Sequence, residues 1–315
     1  MITFLGDVAL ISEALESDYK PSYPYVFNFE YVFGDKERFK PIPNKINLCS
    51  QNCDYERIFG KNPIAVSIAN NHIYDYGEDG VSSTIDKIVE ENIGLVGKEP
   101  YYIDDTICLL SYVALESVNS FSFDYNKVEK TIKDIKLKNN KTKIIVQMHW
   151  GIENHPLQNS KQTEIGHWLI DKGVDLIIGH HPHCIQPIEE YNGKYICYSL
   201  GNGLFANIDQ PSHFDENGKA KREYRFKWQK WNRTSLAINY DENNGKISVS
   251  ELYQQKNKLC CKKENVEIGK YCKKYNSSIA RLIYVIRKYY LFFISNSFVN
   301  GKIFDLNALK CELKK

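Results

Sequence analysis

The sequence predicts an α/β fold, and two features of the chain indicate it. Short apolar runs typical of buried strands recur over residues 1–252, and segments with helical periodicity separate several of them. Most of the apolar runs end in polar or glycine-rich residues, as 143–148 does at His149. Because sites in α/β proteins form where strand ends meet loops, the same pattern predicts where chemistry would occur.

The elements can be assigned in order along the chain. Alternating aromatic residues between 21 and 33 are typical of a strand or extended loop. The sequence DENNG at 241–245 predicts a turn between two hairpin strands. The other predicted strands span 2–5, 63–69, 93–97, 107–114, 143–148, 174–178, 195–200, 234–239 and 246–252. The predicted helices span 54–59, 81–92, 128–137 and 161–172.

Composition excludes several classes of protein. The 315-residue chain is 43% hydrophobic and 25% charged, which is ordinary for a soluble globular protein. A net charge of +2 provides no basic field for nucleic acid. No window approaches the ~20 apolar residues of a membrane span, and the amino terminus has no targeting pattern. These features predict a cytoplasmic protein, and nine cysteines are expected to be reduced thiols.

The motif GHHPH at 179–183 is the most prominent candidate site. It follows a predicted strand and holds three of the eight histidines, and Pro182 restricts the backbone between two of them. Histidines at a strand end can simply form hydrogen bonds to loop carbonyls. Three imidazoles in four residues favour the alternative, a metal site.

Polar residues at other strand ends extend this candidate site. A divalent centre needs carboxylate or amide oxygens together with imidazoles. The candidate ligands are Asp7, Glu30, Asn71, His149, His180, His181 and His183. They suffice for one or two ions, with Mn²⁺, Zn²⁺ or Fe²⁺ as candidates. Two ions would activate water and hold the oxygens of a phosphoester, and His72 is the candidate general acid for the leaving group.

Residues 255–315 differ from the rest of the chain, because they are rich in Lys, Tyr and Cys. We predict a helical extension to a main domain that spans residues 1–254. The segment 281–299 interleaves basic and aromatic residues, so it is expected either to pack on the domain or to contact a membrane surface or a partner protein.

A set of motifs, found in order along the first 250 residues, resembles a known family. They are FLGD at 4–7, NFE at 28–30, SIANNHIYDYG at 67–77, MHWG at 148–151, GHHPHCIQPI at 179–188 and YSLGN at 198–202. Together they resemble the CapA proteins of poly-γ-glutamate capsule biosynthesis, which are related to the calcineurin-like metallophosphoesterases. The resemblance implies a four-layer α/β/β/α sandwich of the metallophosphoesterase type, with a helical carboxy-terminal appendage in this chain.

The resemblance also implies roles for single residues. Asp7 would be the first-strand ligand, Glu30 would bridge two metals, and Asn71 and His149 would be further ligands. His72 would be the general acid. The last two ligands would be His183 and either His180 or His181. Ala9 stands where the family pattern Asp-x-His has a histidine, so either one or two ions are expected. The predicted substrate contacts are Asn28, Asn70, Trp150 and Asn202.

These observations predict a metal-dependent hydrolase, a phosphoesterase that acts in making or tailoring a cell-surface polymer or capsule. Its substrate would be a phosphorylated or polymeric small molecule, and nucleic acid is not expected. Two alternatives stay open. One is a γ-glutamyl or amide hydrolase or transferase that uses the same metals. The other is a non-catalytic accessory subunit of a capsule polymer synthase.

Overall fold

The computed structural model describes residues 1–12, 14–43, 45–116, 119–208, 213–222, 227–272, 279, 282–287 and 289. The strands are β1 (Ile2–Ala9), β2 (Glu16–Ser17), β3 (Tyr25–Phe29), β4 (Val32–Phe33), β5 (Cys49–Ser50), β6 (Ala65–Ser67), β7 (Gly94–Val96), β8 (Tyr101–Asp104), β9 (Ile107–Ala114), β10 (Lys143–Trp150), β11 (Leu176–His180), β12 (Ile188–Tyr191), β13 (Lys194–Cys197), β14 (Asn202–Phe205), β15 (His213–Phe214), β16 (Ala220–Arg222), β17 (Thr234–Asp241), β18 (Lys246–Gln255) and β19 (Lys258–Val266). The helices are α1 (Tyr55–Phe59), α2 (Gly77–Glu90), α3 (Tyr125–Lys138) and α4 (Ser160–Asp171), and a 3₁₀ turn spans Ile268–Lys270.

Most of the strands belong to two sheets. The first has the order β2-β19-β18-β17-β1-β3-β6-β7, with β14 also paired to β1. The second has the order β12-β13-β11-β10-β9-β8. In the first sheet β1, β3, β6 and β7 run parallel, and so do β9, β10, β11 and β13 in the second. The carboxyl ends of each parallel group therefore lie along one edge of its sheet.

The two sheets pack face to face, and helices cover the outer face of each. Phe4 of the first sheet and Leu109 of the second lie in one buried apolar cluster between the sheets. A second cluster packs Ile58 of α1 and Ile88 of α2 with residues of the first sheet. A third packs Leu169 of α4, together with residues of α3, on the second sheet. The predicted four-layer α/β/β/α sandwich is confirmed.

The predicted helical extension from residue 255 is wrong at its beginning. Residues 258–266 form β19, which pairs with β18 on one side and with β2 on the other, so the first sheet continues past residue 254. The lysine-rich composition misled the prediction, because most of β19 is exposed and its charged side chains face solvent near the sheet edge. Of the segment 281–299, residues 281, 288 and 290–299 lie outside the described residues. Residues 282–287 are helical, and Val285 is buried.

Within the described ranges, no helix combines the length and apolar character that crossing a bilayer requires. The predicted cytoplasmic location stays a prediction.

Candidate metal centre

The carboxyl ends of strands from both sheets meet at one place between the layers. In the first sheet Asp7 of β1 lies opposite Asn28 of β3 and Asn202 of β14. In the second sheet His149 of β10 lies opposite His180 of β11. Close approach at this edge depends on Gly6, since a Cβ there would lie 1.8 Å from the carbonyl oxygen of Gly201.

Two sets of donor atoms in this region share one carboxylate. Asp7, Glu30 and His183 place donor atoms within 4.8 Å of one another, and so do Glu30, His149 and His181. Glu30 Oε1 lies 3.6 Å from His183 Nε2 and 3.9 Å from His149 Nε2. Glu30 thus belongs to both donor sets, and its role as a bridging ligand stays a prediction.

Asn71 lies beside the second donor set. Its side-chain oxygen Oδ1 is 2.7 Å from His149 Nε2. An amide oxygen and an imidazole nitrogen directed at each other can both turn to one cation, because each is a metal donor. The predicted ligand Asn71 is therefore within reach of the set formed by Glu30, His149 and His181.

In the first donor set, two carboxyl groups and one imidazole shift one another's pKa values. Burial raises the pKa of Asp7, but hydrogen bonds with His180 and His183 outweigh it and hold that pKa well below its ordinary value. Burial and the charge of Asp7 raise the pKa of Glu30 well above its ordinary value. Burial lowers the pKa of His183, but the charge of Glu30 and the bond with Asp7 outweigh it and raise that pKa to about 10. In the metal-free protein the His183 cation therefore balances part of the carboxylate charge.

The second donor set favours neutral imidazoles. Burial and the neighbouring His181 lower the pKa of His149 well below its ordinary value, and burial lowers the pKa of His181 to about 4. Only the neutral form of an imidazole can bind a metal. Two buried atoms, Glu30 Oε1 and His181 Nδ1, also have no hydrogen-bond partner among the described residues. Oxygen and nitrogen donors left unpaired in this way fit a divalent cation.

The structure separates the two adjacent histidines that the sequence left as alternatives. His180 contacts Asp7 through Nδ1 at 3.0 Å and Gln147 Oε1 through Nε2 at 3.3 Å. His181 has a left-handed backbone with φ 94°, and its ring centroid lies 4.8 Å from that of His149. His181, and not His180, therefore joins a donor set in the described part of the chain.

His72 lies beside the donor sets and is paired with Asp75. The Nδ1 atom of His72 is 2.7 Å from Asp75 Oδ2, and Asp75 also contacts Lys45. His72 lines a cavity of about 250 Å³ together with Asn71 and His183. With Nδ1 directed at a carboxylate, Nε2 is the ring nitrogen left for a bound molecule.

The four predicted substrate contacts have other partners in the structure. Asn28 Nδ2 lies 2.9 Å from Asp7 Oδ1, and Asn70 Nδ2 donates to the carbonyl oxygen of Phe29 at 2.7 Å. Trp150 Nε1 donates to the carbonyl oxygen of Tyr198 at 2.9 Å inside the outer core. Asn202 Oδ1 lies 2.9 Å from His183 Nδ1. All four are buried and contact candidate ligands or the core, and their direct contact with substrate stays a prediction.

Sequence reasoning missed two carboxylates at the site. Asp75 follows His72 by three residues, a spacing that allows contact within one turn, and this was the available signal. Glu153 follows His149 by four residues in the loop after β10, and it lies within 4.8 Å of donor atoms of His181 and His183. No local pattern distinguishes Glu153 from an ordinary exposed loop residue.

Comparisons with known proteins agree with this picture. The family model described as "Bacterial capsule synthesis protein PGA_cap" matches residues 13–207. The PGA biosynthesis protein CapA of Bacillus subtilis (strain 168) is 28% identical over a match of 215 residues that covers 62% of this chain and 56% of that protein. The capsule biosynthesis protein CapA of Bacillus anthracis is 26% identical over a match of 243 residues that covers 65% of this chain and 59% of that protein. The chain thus matches little more than half the length of these relatives.

A solved structure is also similar, though weakly. It is titled as a novel phosphatase from Mycoplasma pneumoniae, is 13% identical, and aligns with a TM-score of 0.45 over 87% of this chain and 96% of its own. Fold and site together define a four-layer sandwich protein with a candidate metal centre at its strand ends. The chain belongs to the bacterial capsule synthesis family PGA_cap, and the predicted resemblance to CapA proteins is confirmed.

Proposed function

We propose that this protein is a metal-dependent hydrolase, and specifically a phosphoesterase that acts in making or tailoring a cell-surface polymer. The observation that carries the proposal is the pair of donor sets joined by Glu30 next to the His72–Asp75 pair. Paired donor sets beside a histidine are typical of hydrolytic centres that act on phosphoesters. Membership of a capsule synthesis family supports the polymer context.

The residues divide into two ligand groups. Asp7, Glu30 and His183 would hold one divalent ion, and Glu30, His149 and His181 would hold a second, with Asn71 completing the latter. Mn²⁺, Zn²⁺ and Fe²⁺ all accept this mixture of oxygen and imidazole donors. Ions bound there would lower the pKa of a coordinated water and offset the negative charge of a phosphate group.

The remaining chemistry belongs to the side chains. Asp75 orients His72 through Nδ1, so a proton held at Nε2 would be available to the departing oxygen of the substrate. The cavity that His72 lines is bounded by apolar side chains, among them Leu48, Phe205 and Trp228. These walls would limit the access of bulk water to the reacting group. They would also suit a substrate with an apolar part next to its phosphate.

The test is a hydrolysis assay with added Mn²⁺ or Zn²⁺, using an aryl phosphodiester, an aryl phosphomonoester and γ-linked glutamate oligomers. The proposal expects a phosphoester to be cleaved, with activity lost in His183→Ala and greatly reduced in His72→Ala. His167→Ala is the matched control, because His167 contacts Glu189 and Tyr191 at the surface. Full activity of chelated His183→Ala would refute the proposal. Cleavage of the oligomers alone would support the γ-glutamyl hydrolase alternative.

An accessory role is the second candidate. It is favoured by relatives in Mycobacterium tuberculosis named "Probable polyglutamine synthesis accessory protein", 27% identical over 169 residues. Contact with a synthase or membrane through 281–299 belongs to this candidate, and exposed Leu282 and Ile286 lie in its described part. Less than one ion per chain at saturating metal would favour this role over hydrolysis.

A further inference from the structure

Glu153 is an exposed carboxylate on the solvent side of the candidate metal centre. Its donor oxygen and ring nitrogens of His181 and His183 all lie within 4.8 Å of one another, which makes a third donor set. Glu153 also lines the 250 Å³ cavity that contains His72. A second cavity of about 490 Å³ is lined by both Glu153 and His181. The carboxylate therefore stands where two cavities meet the buried donors.

The loop that carries Glu153 is fixed to the histidine loop. The next residue, Asn154, has a left-handed backbone with φ 62°. Its N–H donates to the carbonyl oxygen of Pro182 at 2.8 Å, and its Oδ1 accepts from Asn232 Nδ2 at 2.8 Å. Asn232 Nδ2 also donates to the carbonyl oxygen of His183 at 2.9 Å. These bonds hold the backbone beside Glu153 at a set distance from His183.

The carboxylate faces a buried group that requires a partner. His181 is only 8% exposed, and its Nδ1 has no hydrogen-bond partner in the described ranges of the chain. A buried polar atom without a partner is unfavourable in a folded protein unless something occupies it. The imidazole of His181 thus indicates a ligand independently of the exposed carboxylate.

We propose that Glu153 is a further ligand of the metal centre, contributed from its solvent side to the divalent cation that His181 would hold. The inference rests on the proposed metal-dependent function. Binding would immobilise an exposed side chain and displace its water, both of which oppose binding. Glu153 should therefore tune affinity, while the buried carboxylates are indispensable.

The experiment is a calorimetric titration of the chelator-treated full chain with Mn²⁺, paired with metal analysis of the saturated protein. Glu153→Gln keeps the shape of the side chain and is expected to weaken at least one Mn²⁺ site by about 10-fold or more. The matched control is Glu116→Gln, since Glu116 is exposed and lines the same 490 Å³ cavity. It should bind Mn²⁺ as the unmodified protein does, which separates ligation from the general effect of one negative charge.

The outcomes are distinguishable. Equal Mn²⁺ affinity and stoichiometry in Glu153→Gln and the unmodified protein would overturn the assignment of Glu153 and leave the proposed function intact. Equal weakening in both variants would also overturn it, because the effect would then be a general one. An unmodified protein that binds no Mn²⁺ would overturn the proposed metal centre itself. Glu153→Asp keeps the charge, so affinity between those of the unmodified protein and Glu153→Gln is the further expected result.

Discussion

Replacing Glu30 by Gln should change stability in opposite directions in the metal-free and metal-loaded protein. Glu30 is fully buried, and Oε1 accepts no hydrogen bond within the described part of the chain. Burial and the charge of Asp7 raise its pKa well above the ordinary value of 4.5. The carboxylate therefore lowers the stability of the metal-free protein, and a bound cation would offset this effect.

The direction of this stability effect follows from the linkage between proton binding and folding. A carboxyl group whose pKa rises on folding binds more protons in the native than in the unfolded state, so its contribution to stability falls as pH rises above 4.5. At pH 7 the unfolded chain holds this carboxyl group ionised, so the raised pKa makes Glu30 unfavourable to the metal-free fold. The charge of Glu30 also raises the pKa of His183, and losing that partner offsets part of the gain. Because a buried polar group without a partner costs about 1–3 kcal/mol, metal-free Glu30→Gln should be more stable by an amount on the order of 1 kcal/mol at pH 7.

Metal reverses the order. Free Mn²⁺ at 100 times its dissociation constant stabilises a one-site protein by about 2.7 kcal/mol, and a variant without the shared carboxylate forfeits this gain. The assay is thermal unfolding followed by calorimetry, in chelator and in MnCl₂. Glu30→Gln should melt a few degrees higher in chelator and show little shift with Mn²⁺.

A second buried glutamate provides the control. Glu251 on β18 contacts Lys262, Lys270 and the hydroxyl of Tyr271. Since this carboxylate has a partner for each oxygen, Glu251→Gln should destabilise the protein by about 1 kcal/mol with or without Mn²⁺. The loss of stability is limited because both lysine side chains are exposed to solvent. The reasoning is refuted if Glu30→Gln is less stable than the unmodified protein in chelator, or if it shows the same Mn²⁺ shift.

Three further predictions concern positions around the centre. Asp75→Asn should slow hydrolysis about 10-fold or more and leave Mn²⁺ affinity unchanged, because Asp75 contacts His72 and belongs to neither Glu30-linked donor set. Kinetics paired with Mn²⁺ titration test this prediction, and loss of Mn²⁺ binding would contradict it. Arg287→Ala removes a 3.1 Å hydrogen bond to the carbonyl oxygen of Asn154. The backbone amides of residues 151–155 should then exchange hydrogen for deuterium faster, as measured by mass spectrometry. Unchanged exchange would show that Arg287 does not hold the loop 151–155 in place. The contacts of Glu251 with its lysine partners outweigh burial and lower the pKa of this carboxyl group to about 2. The stability difference between Glu251→Gln and the unmodified protein should therefore be full above pH 4.5 and vanish as pH falls towards 2. Urea unfolding at several pH values tests this, and a difference that does not change with pH would exclude the ion pairs as its cause.

The sequence was most informative where periodicity and burial coincide. The strand over 143–148 is apolar on both faces, as a parallel strand covered on both sides should be, and it became β10 in the middle of the second sheet. The strand over 258–266 lies next to the edge of its sheet, and its charged face carries no apolar signal. Its pairing with β2 joins residues more than 240 positions apart, which no local window can indicate.

The candidate site shows the same division between local and long-range information. Strand ends marked Asp7 and His149 because parallel strands place their carboxyl ends at a common edge. The choice between His180 and His181 depends on a backbone turn, since the left-handed conformation at His181 interrupts the alternation of side chains that a strand imposes. Composition is identical at the two positions, so only the folded loop distinguishes them.

The buried asparagine Asn28 connects these arguments. Its Nδ2 lies within 3.4 Å of Asp7, Glu30 and His149, and its Oδ1 accepts from Asn70 at 3.1 Å. An amide nitrogen has only two N–H bonds, so it cannot donate a separate hydrogen bond to each of these three neighbours. In the metal-free protein this one amide offsets part of the repulsion between the carboxylates and orients them towards the same point. The candidate ligands thus already lie close together in the metal-free protein, which would reduce the ordering that binding of a cation requires. Asn28, which the motif suggested as a substrate contact, therefore contacts the candidate metal donors and helps to hold two carboxyl groups close together.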